Sequence, residues 1–166
     1  MKKSNMILIG MPGCGKSTCG VLIAKSLCKS FVDTDLLIQS REGAPLQSII
    51  DQKGTAYFAK AEEEALLSFH DQNTVVSTGG SAVYYPSAME HLGKDGIIVY
   101  LKVSFNVMMN RISNITTRGI LLKPGETMED MFHAREALYL KYADHTIDCD
   151  DLSIEEAVAK LYSITQ

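Results

Sequence analysis

Eight residues near the start of the chain, Gly10-Met11-Pro12-Gly13-Cys14-Gly15-Lys16-Ser17, have the types and spacing needed to grip a polyphosphate. Glycines at 10, 13 and 15 permit a backbone tight enough for successive N–H groups to converge on one phosphate. The N-terminus of a following helix adds partial positive charge. Lys16 is placed to neutralise β and γ oxygens, and the Ser17 hydroxyl is a natural ligand for Mg²⁺. An apolar run at 6–9 precedes this loop and a helical pattern follows it. That is the strand-loop-helix setting in which GxxxxGK[ST] binds a nucleoside triphosphate, here through Gly13, Cys14, Gly15, Lys16, Ser17 and the adjoining Thr18. Cys14 reads as a small residue filling the turn, although a thiol near a helix N-terminus is also a position for oxidation sensitivity.

A second group with chemical potential is Phe31-Val32-Asp33-Thr34-Asp35, at the end of the next strand-like run. Open parallel sheets collect their chemistry at the carboxyl ends of strands, so both carboxylates face the triphosphate. Alternation along a strand would put them on one side, whereas a helix starting between them would splay them into different jobs. One carboxylate then organises Mg²⁺ and its water, and the other orients an acceptor hydroxyl.

The elements that must position these groups are legible as an alternation. Strand-like runs at 6–10, 30–33, 74–77, 96–101 and 145–148 are interleaved with helical patterns at 16–27, 45–53, 56–70, 104–111, 128–143 and 154–164. This predicts a parallel sheet with helices on both faces. Thr127-x-x-Asp130 and Ser153-x-x-Glu156 are capping-box signals at the start of the last two helices. Residues 113–126 lack apolar periodicity, and a mobile lid is expected over about 112–126.

At 166 residues and 46% hydrophobic content, the chain is expected to form one domain, 1–166, with a substantial core. A net charge of −4 with only four arginines argues against a nucleic-acid partner. No apolar stretch reaches membrane-spanning length and the start leads straight into a strand. A cytoplasmic, monomeric protein with no membrane partner is expected. Cys14, Cys19, Cys28 and Cys149 have no CxxC spacing and read as free thiols.

With these residues in place, the chain resembles the shikimate kinases, small P-loop phosphotransferases of the nucleoside-monophosphate-kinase-like fold, over nearly its whole length. The resemblance rests on the P-loop, on Asp33-Thr34-Asp35 with Arg41-Glu42-Gly43, on 54–62, on Thr78-Gly79-Gly80, on Arg111 and Arg118, and on Arg135-x-x-x-Tyr139. It implies a three-layer α/β fold with a five-stranded parallel sheet in the order 2-3-1-4-5, and phosphoryl transfer from ATP to a small-molecule hydroxyl acceptor, shikimate. It implies further that Asp33 shares the Mg²⁺ shell with Ser17 and that Asp35 binds acceptor hydroxyls as a base or orienting group. Glu62, Gly79, Gly80 and Ser81 would line the acceptor pocket, and Arg135 would grip the acceptor's carboxylate. Arg111 would lie against adenine, and Arg118 would be the lid arginine that meets the transferred phosphate. The catalytic set implied is Lys16, Asp35 and Arg118.

The departures from that family concentrate on the acceptor side. The family helix reads G-E-x-x-F-R-x-x-E, whereas this chain has Gly54-Thr55-Ala56-Tyr57-Phe58-Ala59-Lys60-Ala61-Glu62. Positions 55, 59 and 62 share one helical face, so losing the Glu and the Arg together is expected to leave no unpaired buried charge. In the family that Arg helps to clamp the shikimate carboxylate. Its absence should weaken acceptor binding by about one to two decades, since a charge-assisted hydrogen bond contributes roughly 1.5–3 kcal/mol. Ser81 stands where the family usually has a third glycine, and Gly119 where it has proline after the lid arginine. Lys60 reaches the pocket only by bending its stem and otherwise belongs to a solvated face.

Three alternatives remain at this stage. A relative acting on a different small metabolite would keep the donor machinery. A nucleotide-binding protein without useful turnover would have no need of a lid arginine, and a nucleoside-monophosphate kinase would want more arginines around its acceptor phosphate. Tyr57 and Phe58 are placed to shape the acceptor pocket, with core packing an equal reading for Phe58. His70, His91, His133 and His145 have no metal-ligand spacing and read as surface or cap residues, and Met108-Met109 reads as helix packing.

Overall fold

The computed structural model describes residues 3–112 and 120–166, so Arg118 and most of the first half of the expected lid lie outside the described residues. Strand β1 (Asn5–Ile9) is buried at every position. Its run of apolar side chains shows no alternation because both faces of the sheet are covered, as parallel sheets require. The five strands are β1, β2 (Ser30–Asp33), β3 (Thr74–Ser77), β4 (Gly96–Lys102) and β5 (His145–Asp148). They are parallel and ordered β2-β3-β1-β4-β5, as the resemblance implied. In register, Ile7 of β1 stands between Val76 of β3 and Ile98 of β4.

Successive β1 side chains meet different helices. Leu8 lies under α1 (Lys16–Ser26), where Gly20 lets the helix close onto Leu8 and the Phe31 ring. Ile7 lies on the other side, against Gly96 and the end of α5 (Pro86–Asp95). Helix α8 (Ile154–Ile164) packs on α1, and α7 (Met128–Tyr142) packs on β4. Helix α6 (Phe105–Ile112) follows β4 and buries Met108 completely, while Met109 is partly exposed. Both expected capping boxes are formed, Thr127 with Asp130 on α7 and Ser153 with Glu156 on α8.

Beyond the carboxyl ends of β2 and β3, helices α2 (Thr34–Glu42), α3 (Leu46–Lys53) and α4 (Thr55–Leu67) form a wing. It has its own apolar cluster of Ile38, Leu46, Ile49, Phe58 and Ala65. This wing and the sheet edge are the two walls of the site.

The sequence expectations for β2, β3, β5 and α8 match residue for residue. Two helices were missing from them. Helix α2 begins at once after Asp33, so the splayed alternative for Asp33 and Asp35 is the observed one. Helix α5 carries few apolar positions, Ala88, Met89 and Leu92, and includes Gly93, which hid its period. The expected helix at 56–70 stops at Leu67.

Gly96 allows the α5–β4 junction to touch the central strand: a methyl group there would lie 2.5 Å from Ile7 Cγ1 and 2.6 Å from the Leu92 carbonyl oxygen. Gly96→Ala is therefore expected to reduce the unfolding free energy by about 1–3 kcal/mol, the usual range for overpacking. Urea titration should show a lower midpoint at unchanged m.

Candidate active site

The phosphate loop depends on glycines where close approach or a left-handed backbone is required. A side chain at Gly10 would sit 2.6 Å from the Leu101 carbonyl oxygen, and Gly15 takes φ 97° immediately before α1. No side chain caps α1, so its first-turn N–H groups remain available to an anion. Lys16 is 7% exposed and donates to the carbonyl oxygens of Gly10 at 2.7 Å and Met11 at 2.9 Å. Its ammonium group thus folds back across the loop that it would leave to meet a phosphate. Cys14 is buried with Sγ 3.6 Å from Lys16 Nζ, which fits the small residue that packs the turn rather than a thiol open to oxidants. On the outer side of the loop, Arg111 Nη1 donates to the Gly13 carbonyl at 3.1 Å.

Asp33 connects the two halves of the site. Its Oδ1 accepts from the backbone N–H of Asp35 at 2.9 Å and of Leu36 at 3.4 Å, capping α2. Its Oδ2 accepts from Ser17 Oγ at 2.7 Å. Ser77 at the end of β3 brings a further hydroxyl to 3.2 Å from Ser17 Oγ. A carboxylate and hydroxyls gathered beside the phosphate loop are hard oxygen donors of the kind that suit Mg²⁺ held jointly with substrate phosphates.

A cleft of about 430 Å³ runs from this cluster to the wing helices. Of the residues singled out in the sequence, Gly15, Lys16, Ser17, Thr18, Asp33, Asp35, Glu62, Gly79, Gly80, Ser81 and Arg135 line it. Gly13, Cys14 and Arg111 are not among the residues that line it. Phe58 is buried and also forms part of the wall, so its two readings both hold. Tyr57 does not: it is 41% exposed and donates to Glu42 Oε1 at 2.9 Å on the outer face of α4, which corrects its assignment to the acceptor pocket. Lys60 pairs with Glu64 on the solvated side and gives no replacement for the missing arginine.

The end of the cleft away from the phosphate loop is built on two glycines. A methyl group at Gly79 would meet Glu62 Oε1 at 2.6 Å and Asp35 Oδ1 at 2.8 Å, and one at Gly80 would meet Arg135 Nη1 at 2.9 Å. Arg135 is 1% exposed, donates through Nη2 to the Leu121 carbonyl at 2.7 Å, and lies over the Tyr84 ring. Its Nε has no hydrogen-bond partner among the described residues. Tyr139, one helical turn along α7, donates to the Gly80 carbonyl at 2.5 Å and holds that wall.

Glu62 corrects the expectation that no buried charge is left unpaired. It is 1% exposed, and among the described residues it makes no ion pair within 4 Å. Two neutral hydroxyls serve it instead: Ser81 donates to Oε2 at 2.5 Å and Tyr85 to the same oxygen at 3.0 Å. Burial pushes this carboxyl up to about 7, against the Ser81 bond; Asp35 adds to the rise, while Tyr85 and Arg135 oppose it. Sequence reasoning missed Tyr85 and Ser77 as members of the site. Ser77 was findable as a polar residue at the carboxyl end of a strand, whereas Tyr85 had no signal before the turn at Ala82–Tyr84 placed it.

The raised carboxyl has a consequence for stability. A group that binds its proton more tightly in the native state stabilises fully below its unfolded value, and that contribution is lost as pH rises through the native value. The stability of the native protein minus that of Glu62→Gln should therefore decrease between about pH 4.5 and about pH 7 and stay level above it. Urea unfolding of both proteins across that range measures the difference.

Comparison with known proteins agrees with this geometry. The shikimate kinase family model matches residues 12–166. Shikimate kinases of Sulfurihydrogenibium sp. and Caldanaerobacter subterraneus subsp. tengcongensis are 35% and 34% identical, with 95% of this chain covered in both cases and 97% and 93% of theirs. Among solved structures, shikimate kinase from Acinetobacter baumannii in complex with shikimate superposes with a TM-score of 0.88 at 28% identity, covering 98% of this chain and 92% of that one. The Aquifex aeolicus shikimate kinase gives a TM-score of 0.81 at 33% identity, covering 96% and 94%. Both the sheet order and the cleft at the strands' carboxyl ends belong with that set, and the chain is a member of the shikimate kinase family.

Proposed function

We propose that the protein transfers the γ-phosphoryl group of ATP to a hydroxyl of shikimate, a step of aromatic amino acid biosynthesis. The observation that carries this reading is that the phosphate loop and the Glu62–Arg135 pocket open into one cleft, with Asp35 between them. Backbone amides from Gly13 to Thr18 hold the polyphosphate, and Lys16 exchanges loop carbonyls for phosphate oxygens. Ser17 and Asp33 would hold Mg²⁺, which would supply positive charge against the charge that develops on the transferred group. Asp35, splayed from Asp33 by the start of α2, accepts or orients the acceptor hydroxyl proton. Arg135 receives the acceptor's carboxylate, and its unpartnered Nε supports that role. Arg118 supplies charge to the transferred group and Arg111 flanks the adenine. The protein acts as a single cytoplasmic domain and as a monomer, without nucleic acid. Net charge −4 supports the last point, and among the described residues no helix is long and apolar enough to cross a membrane.

A second reading is a shikimate-kinase-like enzyme acting on another small hydroxy compound. Ser81, which lines the cleft, and Ala59, which stands where the family has its carboxylate-clamping arginine, favour it, because neither change touches the phosphate loop. A coupled ADP-release assay with shikimate beside a panel of small polyols and hydroxy acids separates the two. Saturation by shikimate alone is expected, and saturation by another compound alone overturns the first reading.

Two substitutions test the division of labour. Asp35→Asn should lower kcat by about 10²–10⁴-fold, the usual worth of a general base, while calorimetry finds nucleotide affinity little changed. Equal loss of both would remove its acceptor role. Thr55→Glu combined with Ala59→Arg should lower the KM for shikimate by about one to two decades, the worth of one charge-assisted bond. An unchanged KM would show a pocket rebuilt for another molecule.

A further inference from the structure

The acceptor wall holds a carboxyl group whose surroundings are neutral on one side and anionic on the other. Both hydroxyl donors of Glu62, from Ser81 and Tyr85, go to Oε2. The second oxygen, Oε1, lies against Gly79, where Asp35 Oδ1 approaches the same point. Two carboxyl oxygens therefore border the cleft together. They are not equivalent. Asp35 is in the first turn of α2, where the helix N-terminus favours the anion. Glu62 is in the second half of α4, more deeply buried, with no such help.

The charged groups facing Glu62 come from each neighbouring element. Helix α2 brings Asp35, the start of α5 brings Tyr85, and α7 brings Arg135. On α3, Lys53 is engaged on the outer face with Glu42 and Tyr57, and Asp51 with Gln47. On α5, His91 is held by the Phe69 carbonyl, and Glu90 and Lys94 are exposed. On α4 itself, Lys60 is 77% exposed and paired with Glu64. Arg135 is thus the cation among the described residues that acts on Glu62, and it is the same cation that an acceptor carboxylate must use.

An anionic acceptor settling on Arg135 places a third negative charge in the cleft beside two carboxyl groups, one of them buried. Like charges so confined cannot all remain ionised at low cost, and the least supported one takes a proton. Resting on the acceptor assignment above, we propose that Glu62, held by Ser81 and Tyr85, is a positioning group that admits the acceptor's carboxylate by taking one proton from solvent onto Oε1. The anion and the proton enter together, and acceptor selection depends on charge balance as well as shape. Neutral hydroxyls at 81 and 85 suit this role. They hold the carboxyl in one orientation through Oε2, and the proton is gained or lost at Oε1.

Calorimetric titration of the ADP-loaded protein, in which no phosphoryl transfer occurs, with shikimate in two buffers of different ionisation enthalpy measures the proton directly. At pH 8 uptake approaching one proton per acceptor is expected. From about pH 7 upward the Kd for shikimate should rise by up to about tenfold per pH unit, as linkage to one proton requires. Glu62→Gln should bind shikimate with no proton uptake and a level profile. Ser81→Ala, which removes a donor that favours the ionised form, should move the rise to higher pH. Shikimate binding without proton uptake in the native protein, or a slope retained in Glu62→Gln, overturns this inference alone. Absence of shikimate binding at every pH overturns the acceptor assignment and this inference with it.

Discussion

The Asp33 carboxylate is the joint on which the site depends. One oxygen caps α2 and the other receives the hydroxyl of Ser17, so a single side chain ties the second strand, the phosphate-loop helix and the first wing helix together. Because α2 starts directly after Asp33, Asp35 points into the cleft from a helical turn and not from the strand. Two carboxylates separated by one residue therefore serve two regions. A shift of the helix start by one position would rotate Asp35 by about 100° and take it out of the cleft.

The phosphate-loop end of the cleft and the end beside Glu62 and Arg135 are held by different means. Around the phosphate loop the determinants are backbone ones: glycine at 10 because a carbonyl lies in the way, glycine at 15 because φ is positive, and main-chain oxygens that keep Lys16 in place. At the Glu62–Arg135 end side chains decide. Glu62, Ser81, Tyr85, Arg135 and Tyr139 come from α4, the 3-10 turn region and α7, and they are held against Gly79 and Gly80, whose lack of side chains lets the polar groups approach. Such a wall changes by substitution without disturbing the loop, and this chain differs from its family in that wall.

Replacing an arginine near a buried glutamate would ordinarily leave a costly isolated charge. Here two hydroxyls supply the hydrogen bonding of Glu62, and burial pushes its carboxyl up to about 7. Ser81, read in the sequence as lining the pocket where the family usually has glycine, is thereby a partner of Glu62. Its hydroxyl donates to the same Glu62 oxygen that Tyr85 serves.

Local pattern alone determined the phosphate loop, the β-strand alternation, the two capping boxes and the Asp33–Asp35 pair. Each of these is written in consecutive residues, where spacing and backbone preference act directly. Family likeness added the strand order and the acceptor residues. Tertiary structure decided what spacing does not encode: that Tyr57 faces outward while Phe58 faces in, that Ser77 joins Ser17, and that Ser81 and Tyr85 share one oxygen of Glu62. Those contacts join residues up to 60 positions apart in the chain. They exist only because the sheet order and the turn after β3 bring the elements together, and the charge state of a buried group follows from that enclosure and not from the identity of its neighbours in sequence.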